Sequence, residues 1–90
     1  MLKYWLNRLR GLPSVRYYPL RSVLVYREGR HDIEVGGENL ADGQFQIDPS
    51  TITSWSDTPA ELVSENEKLR IAAGAARAAA AQWGMSVLVR

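Results

Sequence analysis

Ninety residues suffice for one hydrophobic core and are too few for two. A hydrophobic share of 46% and a charged share of 23% exclude a disordered chain and suit a soluble globular protein. No cysteine and a single histidine, His31, exclude a disulfide framework and any thiolate or multi-histidine metal centre, so no cofactor or metal is expected and a reducing, cytoplasmic setting fits best.

In chain order, Leu2, Trp5, Leu6 and Leu9 recur at i, i+3, i+4 and i+7, which predicts a short amphipathic helix ending before Pro13. Lys3, Arg8 and Arg10 interrupt that segment, so it does not read as a signal peptide. Ser14 to Pro19 is expected to be an extended or irregular connector, because Tyr18 precedes a proline. Ser22 to Arg27 and Arg30 to Val35 then predict a hairpin around Glu28-Gly29, with Tyr26 opposite His31 and Leu24 opposite Ile33. Leu24, Tyr26, Ile33 and Val35 share one face, and Val23 and Val25 share the other with Asp32 and Glu34. Gly36-Gly37 is expected to break the strand. Phe45 and Ile47 mark a third strand that stops before Pro49, and Thr51 to Trp55 offers a fourth.

Ser64 followed by Glu67 is a capping box, in which each side chain satisfies a free backbone N–H of the other. A helix follows from Glu65, with Leu69, Ala72, Ala73, Ala76, Ala80 and Trp83 as its apolar stripe and Gly84 as a left-handed stop. Its most apolar stretch, Ile71 to Gln82, is too short to span a bilayer and contains Arg77. Met85 to Val89 reads as a strand inside the sheet. The order predicts one α+β domain over 1–90, with an N-terminal segment 1–20 and a sheet-plus-helix core 21–90. The sheet is mainly antiparallel, of about five strands, with the long C-terminal helix packed on one face, and the fold includes a short N-terminal amphipathic helix. The second sheet face is either covered by that N-terminal segment or open to a partner.

Charge is segregated along the chain: residues 1–30 carry a net +6, residues 31–67 carry nine acids and no Lys or Arg, and residues 68–90 carry four bases and no acid. Either these segments neutralise one another in the fold or they polarise the surface for recognition. Catalytic patterns are lacking. His31 and Asp32 are strand neighbours that point to opposite faces, the glycines form no phosphate loop, and no serine sits in a nucleophile elbow. The chain is therefore expected not to be an enzyme. Arg16, Tyr17, Tyr18 and Arg21 interleave bases with aromatics, a weak single-stranded nucleic-acid footprint.

From Arg21 onward the chain resembles small immunity proteins of bacterial polymorphic toxin systems. The resemblance rests on the hairpin Val23 to Tyr26 and Ile33 to Val35, on Ile52-Thr53-Ser54-Trp55 with Pro59 shortly after, on the helix carrying Glu67-Lys68 and Ile71, and on a last strand after Gly84. It implies a cytoplasmic, non-catalytic protein that binds and neutralises a cognate toxin domain. The partner-binding residues expected from the sequence are Asp32, Glu34, Glu38, Asp42 and Asp57, with Trp55 as an aromatic anchor or, alternatively, a core residue. Two other readings stand beside it: a nucleic-acid-associated or membrane-surface protein using the basic N-terminal segment, and a homodimer pairing through the uncovered sheet face.

Overall fold

The computed structural model describes residues 12–90. Five strands, β1 (Ser14–Tyr18), β2 (Val23–Glu28), β3 (His31–Asn39), β4 (Gln44–Ile47) and β5 (Ser86–Val89), form a sheet in the order β1-β2-β3-β4-β5, with one helix, α1 (Glu65–Trp83), between β4 and β5. The first four strands are successively antiparallel, and β5 lies parallel to β4 because the chain returns through α1. The mixed α+β architecture with a C-terminal helix is thus as expected. The helix expected over residues 2–9 lies outside the described residues.

The β2–β3 hairpin turns on Gly29-Arg30, not on Glu28-Gly29, so Tyr26 faces Ile33 and Leu24 faces Val35. Gly29 has φ +63° and Arg30 is not at positive φ, the pattern of a type II′ turn, in which glycine takes the first central position. Centring the loop on Glu28-Gly29 would have forced a left-handed glutamate. The correction is a two-residue shift, which preserves side-chain parity: Leu24, Tyr26, Ile33 and Val35 still share one face, and all are buried.

Gly36-Gly37 does not break β3; it transfers the strand from one neighbour to the next. Gly36 pairs with Val23 of β2, and Gly37 pairs with Ile47 of β4, where the main chain of Gln46 comes too close for any side chain at 37. The sheet curls there. Tyr17 of β1 meets Phe45 of β4 edge to face at 5.8 Å across the concave side, although the two strands are three places apart, a separation of roughly 14 Å in a flat sheet.

Two further expectations change. The connector Ser14 to Tyr18 is itself a strand, since Pro13 and Pro19 leave five residues between them for pairing with β2. Conversely, Thr51 to Trp55 is not a strand: Thr51 closes the 3-10 turn Pro49–Thr51, and the Thr53 carbonyl accepts from Val63 (2.8 Å) instead of joining a ladder. β5 lies at the sheet edge, not inside it.

The core lies in the concavity, where Val15, Leu24, Tyr26, Ile33, Val35, Phe45 and Ile47 meet Ile52 and one face of α1. That helix face is Ile71, Ala72, Ala75, Ala78, Ala79 and Gln82, not the stripe predicted through Leu69, Ala80 and Trp83, which are exposed. Alanine on nearly every side leaves little contrast to orient the helix, and Ile71 decides it. Ser64 caps α1 by accepting from the Glu67 N–H (3.2 Å), but the Glu67 carboxylate turns to Arg70, so only half of the capping box forms. Gly84, at φ 65°, ends the helix as expected. Among the described residues no helix is long and apolar enough to cross a membrane.

Candidate partner-binding surface

Residues 51–64 form a strap that leaves the sheet beside β3 and returns to the start of α1. At one end the Thr51 hydroxyl accepts from the Gly36 N–H (2.8 Å), and at the other the Ser56 N–H donates to the Asp32 carbonyl (2.8 Å). Fully buried Ile52 pins the strap to the core. Beyond it the chain tightens into turns, with Thr58 N–H donating to Trp55 O (3.1 Å) and Glu61 N–H to Thr58 O (3.0 Å).

This path leaves Trp55 half-buried, packed against the core on one side and open on the other. It borders three concavities: a groove of about 550 Å³ over the outer face of β1–β3, a cleft of about 480 Å³ toward the start of α1, and a hollow of about 210 Å³ beside His31 and Asp57. The ring is thus core on one edge, as the second alternative for Trp55 has it, and surface on the other. Thr53, Ser54 and Trp55 form one wall of the outer groove, and Arg16, Tyr18 and Arg21 form the other. The two guanidinium groups each lie 5.8 Å from the centre of the Tyr18 ring.

Of the expected partner-binding residues, four converge here. Asp32 and Glu34 line the groove, and Asp57 borders the small hollow with Trp55. Glu38 and Asp42 do not join them: Glu38 lies past the Gly36-Gly37 curl, near Gln46 and Arg90, and Asp42 occupies the exposed turn Ala41–Gly43 with φ 62°. The converging acids are partly compensated. Arg21 forks onto both carboxylate oxygens of Glu34 (3.2 Å each) and Arg27 onto both of Asp32 (3.3 Å each). Segregation of charge in the sequence is thus largely resolved by pairing in the fold.

His31 gains a carboxylate after all. Its Nδ1 lies 2.6 Å from Asp57, 26 residues along the chain, and its ring meets Trp55 edge to face at 6.1 Å. The neighbour Asp32 points elsewhere, as strand alternation requires. No local signal could have found this pair, because it depends on the path of the strap. The carboxylate holds the imidazole in one orientation, the arrangement in which a histidine handles a proton. Among the described residues no serine or threonine hydroxyl bonds His31, and no group of three or more His, Asp or Glu is arranged to hold a metal ion.

Arg70, which sequence reasoning passed over, joins the strap side to the hairpin. It donates to both oxygens of Glu28 (2.8 and 3.0 Å) and to Glu67 (2.5 and 3.2 Å). These bonds from Arg70 hold the Glu28 and Glu67 carboxyls below the usual range. Glu28 also accepts from the Tyr26 hydroxyl (3.0 Å), whose pKa rises to about 12, first through burial and then through that bond. Compared with known proteins, the chain matches no family model, no curated protein and no solved structure.

Proposed function

We propose that the protein acts by binding another protein through the surface centred on Trp55, without catalysing a reaction. The observation that carries this reading is the position of Trp55 at the junction of three concavities. It is held by the strap against the core, and its indole N–H has no partner among the described residues. A large ring with one apolar edge already seated and one donor unspent is the side chain most often found at the energetic centre of an interface. Leu62, 79% exposed on the same strap, adds apolar surface beside it.

The partner we propose is a protein with a basic cleft. On the strap, Asp57 and Glu61 stand without a Lys or Arg partner among the described residues, whereas Glu65 and Glu67 in the first turn of α1 pair with Lys68 and Arg70. Glu61 has no cationic partner among the described residues, and Asp57 meets only the imidazole of His31. Such a rim steers a positively charged partner and adds to specificity more than to affinity. Together with the sequence resemblance, this supports an immunity role in which the strap blocks the working cleft of a toxin domain.

The test is capture of proteins from the source cell on the full chain, followed by expression of each captured protein alone and together with this chain. The expected result is a captured protein that is toxic alone and tolerated in co-expression. Trp55→Ala should then weaken binding by about thirtyfold or more, the range of an interface hot spot, and abolish rescue while leaving the circular dichroism spectrum unchanged. If no captured protein is toxic, or if W55A binds and rescues like the parent chain, the reading is wrong.

A further inference from the structure

The two edges of the sheet are treated differently. On β1, the N–H of Val15 donates to the side-chain carbonyl of Gln82 (2.8 Å) and its C=O accepts from the indole N–H of Trp83 (2.8 Å). Two neighbouring side chains at the end of α1 thus take the place of a further strand at that position. On β5 no such cover exists among the described residues. The Arg90 N–H donates to Ile47 O (2.9 Å), and in a parallel ladder this directs the N–H and C=O of Leu88 toward β4 and those of Val87 and Val89 outward. Leu88 and Val89 are 44% and 43% exposed, and the strand Ser-Val-Leu-Val carries neither charge nor proline. An edge of that kind is a template for another strand.

We infer that the open edge of β5 pairs with β5 of a second copy of this chain, antiparallel about a two-fold axis through Leu88. One register satisfies every requirement. With Leu88 opposite Leu88 of the second copy, Val87 falls opposite Val89 on both sides of the axis, and these are the residues whose backbone groups face outward. Each such pair exchanges two hydrogen bonds, so four form in all. A slip of one residue would set inward-bonded groups against outward ones. In the same register the two Leu88 side chains, on the outer face, meet at the non-hydrogen-bonded position, where side chains approach most closely.

Charge favours the same partner. Arg90 lies 3.5 Å from Asp48 of its own chain yet is 70% exposed, and in the second copy it falls opposite Ser86, two residues beyond Gly84, where α1 ends. The Gly84 and Met85 N–H groups cap the Ala80 and Ala79 carbonyls, but the last turn of α1 contains no basic residue, so its carbonyl end has no cation of its own. Symmetry supplies this complement twice. The face of the strap and Trp55 is not used, so the inference stands apart from the proposed function.

Sedimentation of the full chain over a concentration series should show a reversible monomer–dimer equilibrium. Three variants locate it. Val89→Pro removes an N–H that points to the open edge and none that bonds β4, so it should yield a monomer whose unfolding midpoint equals that of the parent chain at concentrations where the parent is itself monomeric. Leu88→Lys, at an exposed outer-face position, opposes like charges at the axis and should weaken dimerisation at least about tenfold. Leu88→Cys, in a chain with no other cysteine, should oxidise to a covalent dimer, because cross-strand positions of this type have a separation a disulfide can span. A chain monomeric to about millimolar concentration overturns the inference. So does a dimer that is insensitive to L88K and gives no L88C cross-link.

Discussion

Gly74 in the middle of α1 is explained by a single atom. A Cβ at that position would lie 2.5 Å from the Tyr26 hydroxyl oxygen and 3.0 Å from the ring carbon bearing it. The absence of a side chain lets the phenol lie against the helix and reach Glu28, which Arg70 holds from the other side. Gly74→Ala gains about 1 kcal/mol of helix propensity, and the overpacking it causes costs roughly 1–3 kcal/mol, so the variant should be the less stable. Tyr26→Phe alone should cost about 1 kcal/mol for the lost hydrogen bond. Combined, the two should cost at least about 0.5 kcal/mol less than their sum, because removing the hydroxyl clears the closest contact. Urea unfolding of the four proteins measures this cycle. An additive result, or a G74A protein more stable than its parent, would refute the steric account.

At the scale of elements, the clasp on β1 makes a prediction that local sequence could not. Gln82 and Trp83 look like the end of an apolar helix stripe, yet their side chains satisfy both main-chain groups of Val15, which is fully buried. Trp83→Phe keeps an aromatic ring but deletes the pyrrole half of the indole with its donor, leaving a buried carbonyl unpaired, and should cost about 1–3 kcal/mol in chemical denaturation. A loss indistinguishable from zero would mean that the indole N–H contributes nothing to the edge. The same contrast between local and distant causes explains what the sequence disclosed. Alternation of Leu24, Tyr26, Ile33 and Val35 identified the core face despite the misplaced hairpin loop, since parity survives a two-residue shift. Ser64 and Gly84 marked the ends of α1 because caps depend on neighbours. Composition could not tell the true strand at Ser14–Tyr18 from the false one at Thr51 to Trp55, because each has β-branched or aromatic residues and only the ladder distinguishes them. The candidate site follows the same rule: Asp32 and Glu34 were on the expected face, whereas the meeting of Asp57 with His31 depends on a strap whose path no local pattern records.

For the whole molecule, three chain segments of unequal charge become one ionic framework. Arg21 and Arg27 of the first segment meet Glu34 and Asp32 of the second. Arg90 of the third meets Asp48, and Arg70 bridges Glu28 and Glu67. Surface pairs of this kind contribute little one by one, so their effect is best read from the pH dependence of stability. On the acid side, the Arg70 bonds lower Glu28 and Glu67, and bonds from Ser50 lower Asp48. A carboxyl depressed in the folded state stabilises it fully above the unfolded value, 4.5 for glutamate, and this stabilisation is lost as the pH falls through the folded value. On the alkaline side the sign reverses, because Tyr26 is raised. Its folded pKa of about 12 exceeds the unfolded 10.0, so the folded state binds the proton more tightly and its stabilisation is present below pH 10 and lost between 10 and 12. One differentially bound proton corresponds to about 1.4 kcal/mol per pH unit. Urea midpoints should therefore be level between about pH 5 and 10 and fall on either side. The decisive comparison is the difference between wild type and Y26F, which isolates the Tyr26 phenol. From pH 10 to 12 wild type should lose roughly 2 kcal/mol more than Y26F, so the advantage of about 1 kcal/mol that the tyrosine has below pH 10 should reverse. Parallel curves for the two proteins would show that the Tyr26 phenol does not set the alkaline limit.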